Sequence, residues 1–176
     1  MGASPIVTER LILIPMTLSM VNALLQNSKE AFAPRGISFH KDWPRQDTLD
    51  ILSFLKDVMA STEEASGFDI WMVIRKDGML VIGDAGFKGA PDAQGHIEIG
   101  FGLVEDAQRQ GYGYETAQAL INWASRQEEV KVFMADCLLN NSGSVKVLKK
   151  CGMREIRRDD AYIYWEKQVK AHDPCR

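Results

Sequence analysis

The stretch that most constrains this chain is residues 96–114, HIEIGFGLVEDAQRQGYGY, where a period of two gives way directly to a glycine-bearing turn and then to a helical pattern. Ile97, Ile99, Phe101 and Leu103 alternate with His96, Glu98, Gly100, Gly102 and Val104. A strand over 96–104 therefore sets the odd residues against a core and turns Glu98 to the other face. Over residues 112–126, Ala117, Leu120, Ile121 and Ala124 share one stripe of a helix. A strand that runs through a glycine turn into a helix N-terminus gathers unsatisfied N–H groups at the positive end of the helix dipole, which suits an anion. Gly111 and Gly113 remove the Cβ atoms that would keep a phosphate at a distance, although a tight turn needing positive φ would use the same residues.

The remaining elements follow from period and punctuation. Arg10–Ile14, ended by Pro15, reads as a strand, and Thr17 as the cap of a helix carrying Met20, Val21, Leu24 and Leu25. Residues 27–46 are irregular. Asp47 is expected to cap a second helix with Leu49, Leu52, Leu55, Val58 and Met59 inward. Phe68–Ile74 and Met79–Phe87 form a hairpin about Lys76-Asp77-Gly78. Val130–Leu139 is an apolar strand, and Asn141 or Ser142 opens a helix that stops at Gly152. Two strands, near 154–157 and 161–168, close the chain. The order βααβββαβαββ predicts α/β architecture of α+β character, with one mixed sheet and flanking helices.

Composition matters here mainly for what it excludes. A chain of 176 residues without repeat or linker fits one domain over 1–176. A net charge of −3 argues against a globally basic nucleic-acid binder. No apolar run reaches the ~20 residues that cross a bilayer, so no membrane role is expected. Residues 1–5 lack the charged and apolar regions of a signal peptide. Cys137, Cys151 and Cys175 form no CxxC pair. That spacing suggests neither a disulfide framework nor a metal site, and suits a cytoplasmic location.

Two phosphate motifs fail. A dinucleotide GxGxxG would need glycine where Thr116 stands, and no GxxxxGK[ST] is present. What remains is QxxGxG over Gln108–Gly113. With "TERLILIPMT" at the start, "IGDAGFKGAPDAQGHIEIGFGLVEDAQRQGYGYETAQALINWA" in the middle, "NNSGSVKVLKKCGM" after it and "YIYWEK" near the end, the chain resembles the GNAT superfamily of acyl-CoA N-acyltransferases along nearly its whole length. It is most similar to the branch that includes the ribosomal-protein N-terminal acetyltransferases.

The resemblance implies a mostly antiparallel central sheet in which the strand at 96–104 splays from that at 130–139. It implies acetyl-CoA as acyl donor, with no metal. The donor's pantetheine arm would lie against Phe101, Gly102, Leu103 and Val104, and its pyrophosphate against Gln108, Arg109, Gln110, Gly111, Tyr112, Gly113 and Tyr114. Asn141 and Ser144, the NxxS pair, would meet the pantetheine and the thiol sulfur. Glu98 would be the base that takes the proton of an acceptor amine, directly or through water, and Ser144 or water would be the acid unless none is needed. A solvated strand glutamate and a simple helix cap are the plainer uses of Glu98 and Asn141. Many family members carry a tyrosine acid four residues before the late glycine; this chain has Leu148.

Lys146, Lys149, Lys150, Arg154, Arg157 and Arg158 form a basic cluster suited to the adenosine phosphate or to solvent. His40, Asp84, Tyr112 and Tyr114 are weaker candidates for the acceptor or donor site, and Cys137 and Cys151 read as buried small hydrophobes. The enzyme reading is acetyl transfer to a primary amine by direct attack in a ternary complex. Its rival is a non-catalytic acyl-CoA-binding module on the same fold. The acceptor stays open among a protein N-terminus, a polyamine, an amino-acid derivative and an aminoglycoside-like compound, and the assembly is a monomer or homodimer.

Overall fold

The computed structural model describes residues 2–61 and 64–169, so Cys175 lies outside the described residues. The chain opens with strands β1 (Ile6–Val7) and β2 (Leu11–Pro15), then helix α1 (Leu18–Leu25). Thr17 caps α1 as expected, its hydroxyl taking the Met20 N–H. A 3-10 segment, Lys29–Arg35, and the two-residue strand β3 (Ser38–Phe39) give the 27–46 region more order than its breakers suggested. Helix α2 (Gln46–Val58) starts after Arg45. Asp47 lies in its first turn rather than at the cap, where its charge still suits the dipole. The buried face of α2 is Thr48, Leu52 and Leu55, continued by Met59, whereas Val58 is 54% exposed. The helix is rotated relative to its apolar stripe because Thr48 is bonded to a buried carboxylate beneath it.

Strands β4 (Ile70–Arg75), β5 (Leu80–Phe87) and β6 (His96–Leu103) follow, then helix α3 (Tyr112–Ala124), strand β7 (Val132–Leu138), helix α4 (Ser142–Lys150), and strands β8 (Arg154–Arg158) and β9 (Tyr162–Gln168). The sheet runs β1-β2-β4-β5-β6-β7-β9-β8, and β3 pairs in parallel with the start of β5. The other junctions are antiparallel except the central one, β6 with β7.

The two faces are built differently. Along β5 and β6 the directly opposed pairs Ala85–Phe101 and Phe87–Ile99 turn one way, and α3 packs there, with Trp123 against Phe87. Asp84 and Gly102 turn the other way, and α2 is tied there through Thr48. Ala117, Leu120, Ile121 and Ala124 of α3 are all buried, as their spacing predicts. Asn141 caps α4 by accepting the Ser144 N–H at 3.0 Å, and Gly152 ends it at φ +79°. Among the described residues, no helix is long and apolar enough to cross a membrane.

Candidate active site

The central parallel junction is short. β6 and β7 pair at His96–Val132, Ile97–Phe133 and Glu98–Met134, and no pairing continues beyond. From there β6 stays with β5 as far as Leu103, while β7 stays with β9 as far as Leu138. Two main-chain edges thus face each other across a gap of about 260 Å³, lined by Gly100 and Phe101 from β6, Asp136 and Cys137 from β7, and Asn141 and Ser144 at the head of α4. The predicted residues Phe101, Asn141 and Ser144 share this cleft. Leu148, 2% exposed, stands in its wall where a tyrosine acid would need a hydroxyl. Tyr162, across the β7–β9 pair from Leu138, also lines this cleft. Sequence reading missed Tyr162 and Asp136, because only the strand register sets them beside Gly100.

At the end of β6 the chain passes a 3-10 turn, Glu105–Ala107, and enters the loop before α3. Gln108 sends its side-chain amide back to the Leu103 carbonyl at 3.0 Å, fixing the loop to the strand. Arg109 and Gly111 both have positive φ, +59° and +85°. Glu115 N–H is the first to be satisfied within the helix, by the Gly111 carbonyl. Among the described residues no acceptor takes the amides of Arg109, Gln110, Gly111, Tyr112, Gly113 or Tyr114. Unsatisfied amides at a helix N-terminus next to an open strand edge are what a diphosphate with an attached extended arm would use. The Tyr112 ring is buried under the Arg10 guanidinium, 4.4 Å from its centroid, so Tyr112 offers the loop its amide rather than its phenol. The Lys150 ammonium lies 4.2 Å from the Tyr114 ring centroid, which brings one lysine of the basic cluster to this loop. The arginines go elsewhere. They sit on β8, where Arg158 pairs with Glu155, Arg154 with Glu166, and Arg157 with Asp159 while covering Tyr164.

Glu98 lies on the face opposite the α3 core, half-buried, at the last paired position before the strands part. It is ion-paired with Lys88, whose ammonium also lies 3.5 Å from Asp136 across the junction. Partial burial alone would lower the Lys88 pKa, but the bond and charge of Glu98, with Asp136 behind it, raise it above the usual lysine range. Gly100 has open space where a Cβ would be. Gly102 does not: a side chain there would collide with the Arg45 guanidinium, which lies over the strand. On its side-chain face, Gly102 is thus packed under this arginine.

Arg45 is held by the segment around it. Trp43 and Thr48 donate to the same oxygen of Asp84, at 2.8 and 2.6 Å, and Asp84 is only 6% exposed. Asp84, a weaker candidate from the sequence, is a buried anchor whose burial raises its pKa against the lowering effect of the two bonds. His40 is likewise engaged, 3.3 Å from Asp106 and beside Asp42. Cys137 and Cys151 are buried, and Cys137 accepts the Trp165 indole N–H at 3.3 Å.

Residues 10–154 match the family profile described as the acetyltransferase (GNAT) domain. The chain is 33% identical over 158 residues to the uncharacterized N-acetyltransferase YjdG of Bacillus subtilis (strain 168), covering 90% of this chain and 94% of that protein. Its fold matches that of RimL, a ribosomal L7/L12 alpha-N-protein acetyltransferase in complex with coenzyme A, with a TM-score of 0.67 and 17% identity, over 94% of this chain and 98% of that one. It also matches a GNAT-family acetyltransferase from Bacillus anthracis, with a TM-score of 0.65 and 19% identity, over 94% and 99% of the two chains. The family uses acetyl-CoA as its acyl donor, and the parted strands with their free amides suit that molecule. The chain belongs to the GNAT acetyltransferase family and is an acyltransferase.

Proposed function

We propose that this protein is an N-acetyltransferase that moves an acetyl group from acetyl-CoA to a primary amine, either a protein N-terminus or a small-molecule amine, in a ternary complex. The observation that carries the reading is the parting of β6 from β7 after Glu98–Met134, which leaves main-chain groups open beside the unsatisfied amides of 109–114. The loop amides hold the diphosphate. The stretch Phe101, Gly102, Leu103 and Val104, open toward β7 at Phe101 and at the Leu103 N–H, holds the pantetheine arm, and Asn141 and Ser144 flank the thioester. The acceptor comes from the opposite face, where Glu98 and Asp136 offer carboxylates to an ammonium.

An aliphatic amine with a reference pKa near 10, or an N-terminus near 8, must lose a proton to become a nucleophile. Glu98 takes that proton, directly or through water, once the incoming amine replaces Lys88 on its carboxylate. The nitrogen–carbon bond forms, the carbon–sulfur bond breaks, and the departing sulfur is protonated from the Ser144 side or by water. Leu148 supplies no hydroxyl there. The unit is one domain over 1–176, working without metal or nucleic acid in the cytoplasm, as a monomer or homodimer.

Release of CoA thiol from acetyl-CoA across a panel of amines and N-terminal peptides tests the proposal. Turnover with one class of amine supports it. Calorimetric binding of CoA with no thiol release for any amine would instead favour a non-catalytic acyl-CoA-binding module.

A further inference from the structure

The N-terminal TER segment reaches across the fold to the outer side of the donor loop. Glu115, in the first turn of α3, accepts the Thr8 hydroxyl at 2.6 Å, the Arg10 amide at 2.8 Å and the Arg10 Nε at 2.8 Å. Partial burial alone would raise its pKa, but these donors outweigh that and hold it below the usual carboxylate range, so it stays charged at neutral pH. The Glu115 side chain is 14% exposed, so the Arg10 guanidinium is fixed in direction rather than waving in solvent. Lys76 closes the turn from behind by donating to the Thr8 and Glu9 carbonyls.

Held this way, Arg10 meets three consecutive loop residues. Its Nη1 donates to the Gln110 carbonyl at 2.9 Å, its Nη2 would be 3.1 Å from a Cβ on Gly111, and its plane covers the Tyr112 ring. A trans peptide points its C=O and N–H in opposite directions. Fixing the Gln110 carbonyl toward Arg10 therefore turns the Gly111 N–H away from Arg10, and among the described residues no acceptor takes it, as for its neighbours. The loop needs such a brace, because two left-handed residues, Arg109 and Gly111, flank Gln110 and an L residue in that region is disfavoured.

We infer that Arg10, oriented by Glu115, is a positioning residue of the donor loop: it clamps the peptide between Gln110 and Gly111 so that the Gly111 amide faces the diphosphate. The inference rests on the reading that this loop binds CoA. It makes a distinction that general destabilisation would not make. The brace acts on the diphosphate, so a donor lacking that group should not notice its loss.

The test uses the full chain with Arg10→Met, Arg10→Lys and Glu115→Gln. CoA affinity is measured by calorimetry, and kinetics are compared with acetyl-CoA and with S-acetylpantetheine, which has no diphosphate. Arg10→Met should weaken CoA and raise the KM for acetyl-CoA about tenfold, the scale of one oriented donor to a charged group, with kcat kept. Arg10→Lys should recover little, because lysine restores the charge without the fork that holds Gln110 and Glu115 together. Glu115→Gln should show the same pattern at smaller amplitude, and it decides the matter if Arg10→Met does not fold. Kinetics with S-acetylpantetheine should not change in any variant. Wild-type CoA affinity in Arg10→Met or Arg10→Lys, or an equal loss with both donors, overturns the clamp. A wild-type protein that does not bind CoA overturns the donor-site reading itself.

Discussion

Removing the Asp84 carboxylate tests how the 43–48 segment and α2 are held over β5 and β6. Trp43 and Thr48 donate to a single Asp84 oxygen beneath α2, so Asp84→Ala strands two buried donors. At roughly 1–3 kcal/mol for each unsatisfied group, the variant should lose roughly 2–6 kcal/mol. With a urea slope near ~2 kcal/mol per molar, its unfolding midpoint should fall by about 1–3 M. Asp84→Asn is a different experiment, because one amide oxygen can keep both bonds while the ionisable group is gone. Burial raises the native pKa of Asp84 above its unfolded value, so the native state binds more protons between the two values. Stability from this group is then complete below the unfolded pKa and is lost as pH rises through the native one. Urea unfolding of the wild type should therefore show a decline with rising pH above about 4 that Asp84→Asn lacks. Coincident pH profiles for wild type and Asp84→Asn, or an Asp84→Ala loss under about 1 kcal/mol, would refute the reasoning.

Other perturbations address the chemistry and its surroundings. Glu98→Gln should cut turnover mainly at lower pH with acetyl-CoA affinity nearly kept; an unchanged pH–rate profile would remove Glu98 from the base role. Gly111→Val puts a β-branched residue at φ +85° and a methyl-bearing carbon against Arg10, so CoA affinity should fall more than tenfold. Wild-type calorimetric affinity in that variant would contradict the diphosphate assignment. Burial pushes the Cys151 thiol up to about 11, so in the native protein it should resist iodoacetamide at pH 8 and react fully once unfolded, as read by peptide mass spectrometry.

The features legible in the sequence were the ones governed by neighbours along the chain. Thr17 and Asn141 announce their helices because a cap bonds to a residue three further on. The alternation over 96–103 and the stripe on α3 need only a period. The cleft was predicted only through resemblance, because strand divergence depends on which partners β6 and β7 choose elsewhere, β5 and β9 respectively. Tyr162, Asp136 and Lys88 reach the site through register between distant segments, and their local sequence carries no mark of it. Asp84 defeated its pattern for a similar reason. A carboxylate in a hairpin strand reads as solvated until Trp43 and Thr48, some forty residues earlier, are known to lie over it. The basic cluster broke up because β8 folds back on β9 and brings its arginines to acids of the same hairpin.

The short seam between His96–Glu98 and Val132–Met134 has a consequence for solubility as well as for catalysis. Most sheets keep their unpaired strands at the margins, where charge or a covering element guards them against foreign strands. Here two bare margins lie in the middle of the sheet, facing each other. Because they diverge from one vertex, an intruding flat strand could satisfy one of them or the other but not both along its length. A slender, flexible thread with amide groups spaced along it, such as the arm of the proposed donor, suits the wedge far better, and the same divergence works against self-association through the opening.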